Sequence, residues 1–102
     1  MELNLMQQNG TLNISIIGAV DNSGAEELKE YFQDILEKDF KEAVFDLSFV
    51  PFITSSGIGK FLIFYKNIVS QGKKMRIKGI NDNLYELFRS IKLDQLFPIE
   101  KA

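Results

Sequence analysis

The chain has 102 residues, 45% of them hydrophobic and 25% charged, and its 12 Lys and Arg against 14 Asp and Glu give a net charge of −2. This profile is typical of a single globular domain that spans residues 1–102. The near-balanced charge argues against nucleic acid as a partner. No stretch approaches the roughly 18 apolar residues of a membrane span, and the opening residues do not resemble a secretion signal, so we expect a cytoplasmic protein.

The sequence contains neither cysteine nor histidine. Without cysteine there is no thiol nucleophile, disulfide framework, zinc finger or iron–sulfur site. Without histidine there is no Ser-His-Asp triad, and most transition-metal sites are excluded as well. We therefore expect a protein that is not an enzyme and that needs no metal and no cofactor.

The amino-terminal third predicts a β-hairpin followed by a helix. Apolar and polar residues alternate at the start of Thr11–Val20, which is typical of a half-buried strand. Asn9-Gly10 just before it favours a tight turn, so the opening segment is expected to pair antiparallel with this strand at the edge of the sheet. Ser23-Gly24-Ala25-Glu26 fits a capping box and predicts a helix that begins at Ser23.

The middle of the chain predicts a buried strand and a second helix. Ala43–Val50 is apolar on both alternating sets of positions except at two polar residues, which indicates a strand covered on both faces by helices. Pro51 cannot donate to a β-ladder, so the chain is expected to leave the sheet there. From Ser55 the apolar spacing becomes helical and continues to Gln71-Gly72, a common helix end.

The carboxyl-terminal third predicts a strand at Met75–Ile80, a helix capped by Asp82 or Asn83, and a final short strand at Leu96–Ile99. Alternation of strands with helices predicts an α/β fold with a mostly parallel central sheet, an antiparallel amino-terminal edge strand and flanking helices. One basic group is interpreted as a solvated strand edge, with an acidic partner patch as the alternative: Lys73, Lys74, Arg76 and Lys78.

The segment with the strongest functional signal is Asp46–Leu62, where a strand leads through Thr54-Ser55-Ser56-Gly57 onto the start of a helix. Helix N-termini favour phosphate or carboxylate, and α/β folds bind ligands at the carboxyl ends of their strands. Alternatively, one of the three hydroxyl residues only caps the helix, and Gly57 only allows close packing. Neither a P-loop nor a GxGxxG fingerprint fits the spacing.

Over nearly its whole length the chain resembles a STAS domain of the bacterial anti-sigma-factor antagonist type. The resemblance rests on Gly18-Ala19-Val20-Asp21, the helix from Ser23, Asp46-Leu47-Ser48, and Phe52–Gly59. The last of these is similar to the family's Asp-Ser-Ser/Thr-Gly-Leu-Gly phosphorylation loop. A STAS scaffold or regulatory subunit of a stress-signalling or transporter-associated complex, without a phosphorylation cycle, is the alternative.

The resemblance implies a switch in which Ser55, the first Ser of the loop, is phosphorylated by a partner that is both a serine kinase and an anti-sigma factor. The unmodified form binds this kinase and frees the sigma factor. After phosphorylation, a serine phosphatase restores the unmodified form. Thr54 replaces a frequently acidic residue and is, with Ser56, a minor candidate for phosphorylation. The expected partner-binding residues are Asp21, Ile53, Thr54, Ser55, Ser56 and Gly57, and Asp21 has an equally plausible role as a turn or cap residue. Phe40, Phe49 and Phe52 are candidates for further partner contacts, although core packing is expected for most of the nine Phe.

Overall fold

The computed structural model describes all 102 residues as an α/β structure with five strands and three α-helices. None of these helices is both long and apolar enough to cross a membrane. The elements in chain order are β1 (Glu2–Gln8), β2 (Thr11–Ile17), α1 (Asn22–Leu36), β3 (Glu42–Phe49), α2 (Ser55–Ser70), β4 (Lys74–Ile80), α3 (Asp82–Ser90), a 3-10 turn (Leu93–Gln95) and β5 (Ile99–Lys101).

The strands form one sheet in the order β1-β2-β3-β4-β5. β1 is antiparallel to β2, and every other neighbouring pair is parallel. Asn9 and Gly10 both have positive φ, at 53° and 82°, and form the two-residue turn whose twist matches the flanking strands. The predicted hairpin, mostly parallel sheet and fold class are therefore confirmed.

Helix α1 begins earlier than the capping-box pattern predicted. Its N-cap is Asp21, whose carboxylate accepts a hydrogen bond from the backbone N–H of Gly24 at 2.7 Å. The predicted start at Ser23 is therefore wrong. The reason is tertiary: Val20 is bridged to Ile53 of a neighbouring segment, so the helix begins as soon as that bridge ends.

The N-cap of helix α3 also lies earlier than predicted. Asn81, not Asp82 or Asn83, is the N-cap, and its side-chain oxygen accepts from the backbone N–H of Leu84 at 2.8 Å. All three of these residues have side chains that cap helices well. Sequence alone could not rank them, because the choice depends on where β4 ends.

The last strand lies further along the chain than predicted. Leu96–Ile99 was expected to be extended, but the strand is β5, and a 3-10 turn precedes it. Pro98 has no N–H to donate to a β-ladder, although its carbonyl accepts from the backbone N–H of Ile77 at 3.0 Å. The strand therefore begins after the proline.

The core contains most of the phenylalanines, as predicted. Four rings from α1, β3 and α2 pack together with centroid separations of 4.7 to 5.7 Å: Phe32, Phe45, Phe61 and Phe64. Phe40 is buried as well, and the Lys73 ammonium lies 4.0 Å above its ring. The proposed partner-contact role of Phe40 is therefore wrong, whereas Phe49 and Phe52 are exposed.

The helices do not cover both faces of β3. Its core-facing residues Ala43, Phe45 and Leu47 are buried. On the other face Glu42 and Asp46 are partly exposed, while Val44 between them is buried outside the main core cluster. Neighbouring β4 continues this polar face, where Arg76 forms an ion pair with Glu42 at 3.6 Å. Because β4 lies between β3 and β5, the basic group does not lie at a strand edge as predicted, although Lys74 and Lys78 are exposed to solvent.

Candidate functional site

The segment that follows β3 is fixed to the segment that follows β2. The backbone N–H of Gly18 donates to Phe49 at 2.9 Å, and that of Val20 donates to Phe52 at 3.0 Å. In return, the backbone N–H of Thr54 donates to the carbonyl of Val20 at 2.9 Å. These bonds continue the sheet beyond its regular strands and fix residues 53–57, here called the hydroxyl loop, at its carboxyl edge.

A second support comes from the other side of β3. The Asn81 side-chain nitrogen donates to the carbonyl oxygens of Val50 and Pro51, at 3.2 and 3.3 Å, while its oxygen caps α3. Asn81 thus joins the approach to the hydroxyl loop to the start of α3. Sequence reasoning missed this residue, although an Asn three residues before Leu84 has the spacing of an N-cap.

The three hydroxyl residues of the loop have different environments. Thr54 is the N-cap of α2, and its Oγ1 accepts from the backbone N–H of Gly57 at 3.4 Å. Ser55 and Ser56 occupy the first turn and are exposed to solvent. Their backbone N–H groups have no hydrogen-bond acceptor within the chain. The two Ser hydroxyls therefore lie at the positive end of the α2 dipole, beside free donors.

Ile53 and Gly57 form the inner side of the loop. The Ile53 side chain is only 5% exposed, and Gly57 is buried. A Cβ on Gly57 would lie 2.6 Å from Cγ2 of Ile53 and 2.8 Å from Cγ1 of Val20. Both predicted site residues thus fix the position of the loop from the core side, and any contribution to partner binding comes from the loop shape they maintain.

Asp21 lies at the same edge of the sheet as the hydroxyl loop. It follows Val20 directly, which pairs with Ile53 and accepts from Thr54, and its side chain caps α1. Helices α1 and α2 therefore begin at adjacent segments that are hydrogen-bonded to each other. The structure brings together the residues predicted for the site. It also shows Asp21 as a helix cap, the role that the sequence analysis gave as the alternative to partner binding.

The hydroxyl loop forms part of an exposed surface rather than a pocket. Phe49 and Phe52, which lie just before it, are 68% and 49% exposed. None of the three surface depressions includes a residue of the loop. The largest, about 740 Å³, is lined by Gly10 and Gly72 among others at the opposite edge of the sheet. Such a surface suits contact with a macromolecule better than enclosure of a small ligand.

A polar cluster on β3 lies on the open face of the sheet. Asp46 Oδ1 accepts from the Ser48 backbone N–H at 3.0 Å and from its hydroxyl at 2.6 Å. Burial alone would raise the pKa of Asp46, but these hydrogen bonds and the charge of Lys78 outweigh it and lower that pKa. Gly79, at φ +76°, leaves room for the cluster, since a Cβ there would lie 2.3 Å from the Ser48 hydroxyl.

Replacement of Asp46 by Asn is expected to destabilise the protein at neutral pH by up to about 1 kcal/mol, because the site is partly exposed. A carboxyl with a lowered pKa in the folded state stabilises the fold above its ordinary pKa of 3.8 and loses that contribution as the pH falls through the lowered value. The difference in unfolding free energy between wild type and variant should therefore become smaller below pH 3.8. Urea unfolding at several pH values measures it, with exposed Asp34→Asn as the control, and a difference independent of pH would contradict the prediction.

Comparison with known proteins agrees with this fold. The sequence model of the STAS domain family matches residues 2–102. The chain therefore belongs to the STAS domain family. The anti-sigma-B factor antagonist of Listeria monocytogenes is 25% identical over 91 residues, which cover 89% of this chain and 80% of the relative.

Solved structures show the same fold at low sequence identity. An anti-sigma factor antagonist from Mycobacterium paratuberculosis superposes with a TM-score of 0.87 at 19% identity, covering 99% of this chain and 86% of that one. The phosphorylated form of SpoIIAA, a Bacillus cell fate determinant, gives a TM-score of 0.75 at 15% identity and covers 96% of this chain and 90% of that one.

Proposed function

We propose that this protein is a non-enzymatic anti-sigma-factor antagonist whose hydroxyl loop binds an anti-sigma-factor serine kinase. In the unmodified form the protein occupies the kinase, and the sigma factor is free for transcription. Phosphorylation of Ser55 ends this interaction, and a serine phosphatase restores it. The observation that carries the proposal is an exposed Ser55 at the first turn of α2, in a loop fixed from both sides.

The geometry supports a modified residue that the fold can tolerate. A phosphate adds about 1.5 to 2 negative charges and three acceptor oxygens. Ser55 is exposed, and the free N–H groups of Ser55 and Ser56 lie beside it at the positive end of the α2 dipole. The added charge therefore changes the surface available to a partner without opposing the fold.

The same geometry supports Ser55 over Thr54 as the acceptor. The Thr54 hydroxyl oxygen already accepts the capping hydrogen bond from Gly57, and the residue is only partly exposed. Modification of Thr54 would disturb that cap, whose loss typically costs about 1 kcal/mol. Ser56 is exposed as well, and the choice of Ser55 rests on its position in the family's loop.

Release of the partner follows from the cost of burying charge. A docked kinase removes water from the hydroxyl loop and from the exposed rings of Phe49 and Phe52. Asp21 already contributes one carboxylate at this edge of the sheet. A doubly charged phosphate buried there without a cationic partner would oppose docking by several kcal/mol. Phosphorylation thus acts as an electrostatic switch.

The proposal is tested by intact and peptide mass spectrometry of the protein purified from its native cells, with and without phosphatase treatment. We expect one phosphate, lost on phosphatase treatment and located on Ser55. Protein with Ser55→Ala should lack it, while protein with Thr54→Val should retain it. An unmodified loop under several growth conditions, together with a stable stoichiometric complex that Ser55 substitutions leave unchanged, would instead favour the scaffold function.

A further inference from the structure

The outer edge of β1 has unpaired backbone groups. β1 is the first strand of the sheet and pairs only with β2. In a hairpin with a two-residue turn, the residues next to the turn form a hydrogen-bonded pair, and such pairs alternate along the strands. Gln8, Met6 and Asn4 therefore bond to β2, and the N–H and C=O groups of Leu3, Leu5 and Gln7 point outward into solvent.

This edge lacks the usual protection against strand pairing. β1 is seven residues long, pairs with β2 at every position without a bulge, and contains no Pro or Lys. Its single charge is Glu2 at one end. The opposite edge of the sheet is protected, because β5 has only three residues and two of them are Glu100 and Lys101. Long, flat, uncharged edges are the ones that pair with further strands.

We propose that β1 pairs antiparallel with β1 of a second copy of this chain, about a twofold axis at Leu5. In this register Leu5 faces Leu5 of the second copy, and Leu3 faces Gln7 on both sides. Every outward backbone group of the three residues then gains a partner, with two hydrogen bonds for each facing pair. Glu2 faces the neutral Gln8, so no like charges meet.

The side chains also favour a second copy of this chain as the partner of β1. Leu5 is 40% exposed although its cross-strand neighbour Ile14 is buried, so pairing across the twofold axis would cover apolar surface that β2 leaves open. Met6 is also exposed and would face Asn4 of the second copy. A single strand pair buries little area, and such interfaces are at the low end of the size range. The dimer is therefore weak and depends on concentration.

Disulfide trapping tests the register, because the chain has no cysteine of its own. Facing residues of a hydrogen-bonded antiparallel pair have Cα atoms about 5.5 Å apart, within disulfide range. We expect Leu5→Cys to form a covalent dimer on mild oxidation. Gln7→Cys is the matched control, since the two copies of Gln7 would be displaced by roughly 14 Å along the strands. Cross-linking of both variants at the same rate would overturn the register.

Sedimentation velocity between about 10 and 500 micromolar tests association of the unmodified chain, a range suited to a weak interface. We expect dimer at the upper end and monomer at the lower end. Leu5→Lys places two ammonium groups against each other, and Gln7→Pro removes an outward N–H, so each should abolish the dimer. Ile63→Lys, at a 58% exposed position of α2, adds the same charge elsewhere and should leave it intact.

Amide hydrogen exchange of the wild-type protein gives a readout that needs no substitution. The amides of Leu3, Leu5 and Gln7 should exchange more slowly at high than at low concentration. The Met6 amide bonds to β2 and should be protected equally at both. A wild-type chain that stays monomeric at the highest concentration would overturn the proposal, as would a dimer that persists in folded Leu5→Lys and Gln7→Pro variants.

Discussion

Substitution of Ser55 by Asp is expected to weaken binding of the proposed anti-sigma-factor kinase by about 1 to 3 kcal/mol, the scale of a few lost or opposed polar contacts. Thermal stability should stay the same or rise slightly, because a carboxylate in the first turn of α2 interacts favourably with the helix dipole. The variant would thus separate a loss of binding from a loss of folding. Isothermal titration calorimetry and thermal unfolding measure the two quantities.

Two matched variants define what this result means. Ser55→Ala removes the hydroxyl without adding charge, so it should bind the kinase nearly as well as the wild type. Asn83→Asp adds the same charge to the first turn of α3, where Asn83 is exposed, and should change binding much less. Equal affinity of wild type and Ser55→Asp for the kinase would contradict the electrostatic switch.

Gly57→Ala is expected to destabilise the protein by about 1 to 3 kcal/mol, the usual cost of forcing a methyl group into a packed interior. The new Cβ would lie 2.6 Å from Ile53 and 2.8 Å from Val20, closer than side-chain carbons pack. Both neighbours are buried and held by the backbone ladder beside the hydroxyl loop. Relief of the clash therefore has to move the loop or the start of α2.

Gly59 provides the control within the same helix. A Cβ at Gly59 would meet no atom within 4 Å. Since Ala is preferred over Gly in helices by up to about 1 kcal/mol, Gly59→Ala should stabilise the protein. Urea unfolding of both variants should show opposite signs. Stabilisation by both would mean that Gly57 is not packed tightly against Ile53 and Val20.

The local sequence was sufficient to predict the order of elements. Asn9 and Gly10 adopt positive φ at low cost, so the hairpin is determined by two adjacent residues. The carboxyl edge of the sheet was also predictable as the candidate site, because a strand leading into Thr54-Ser55-Ser56-Gly57 places hydroxyl groups at a helix start. The structure explains the close packing expected at Gly57, because a Cβ at this position would clash with Ile53 and Val20.

The hairpin, the alternation of strands and helices, and the hydroxyl loop were predictable because each depends on residues that are neighbours along the chain. Tertiary contacts selected the caps at Asp21 and Asn81 and left the second face of β3 without a covering helix. Each of these depends on contacts between distant residues, such as the bridge of Val20 to Ile53 or the Asn81 bonds to Val50 and Pro51. Several nearby residues satisfy the local rules for a helix cap equally well, and contacts with the neighbouring segment determine which of them forms the cap.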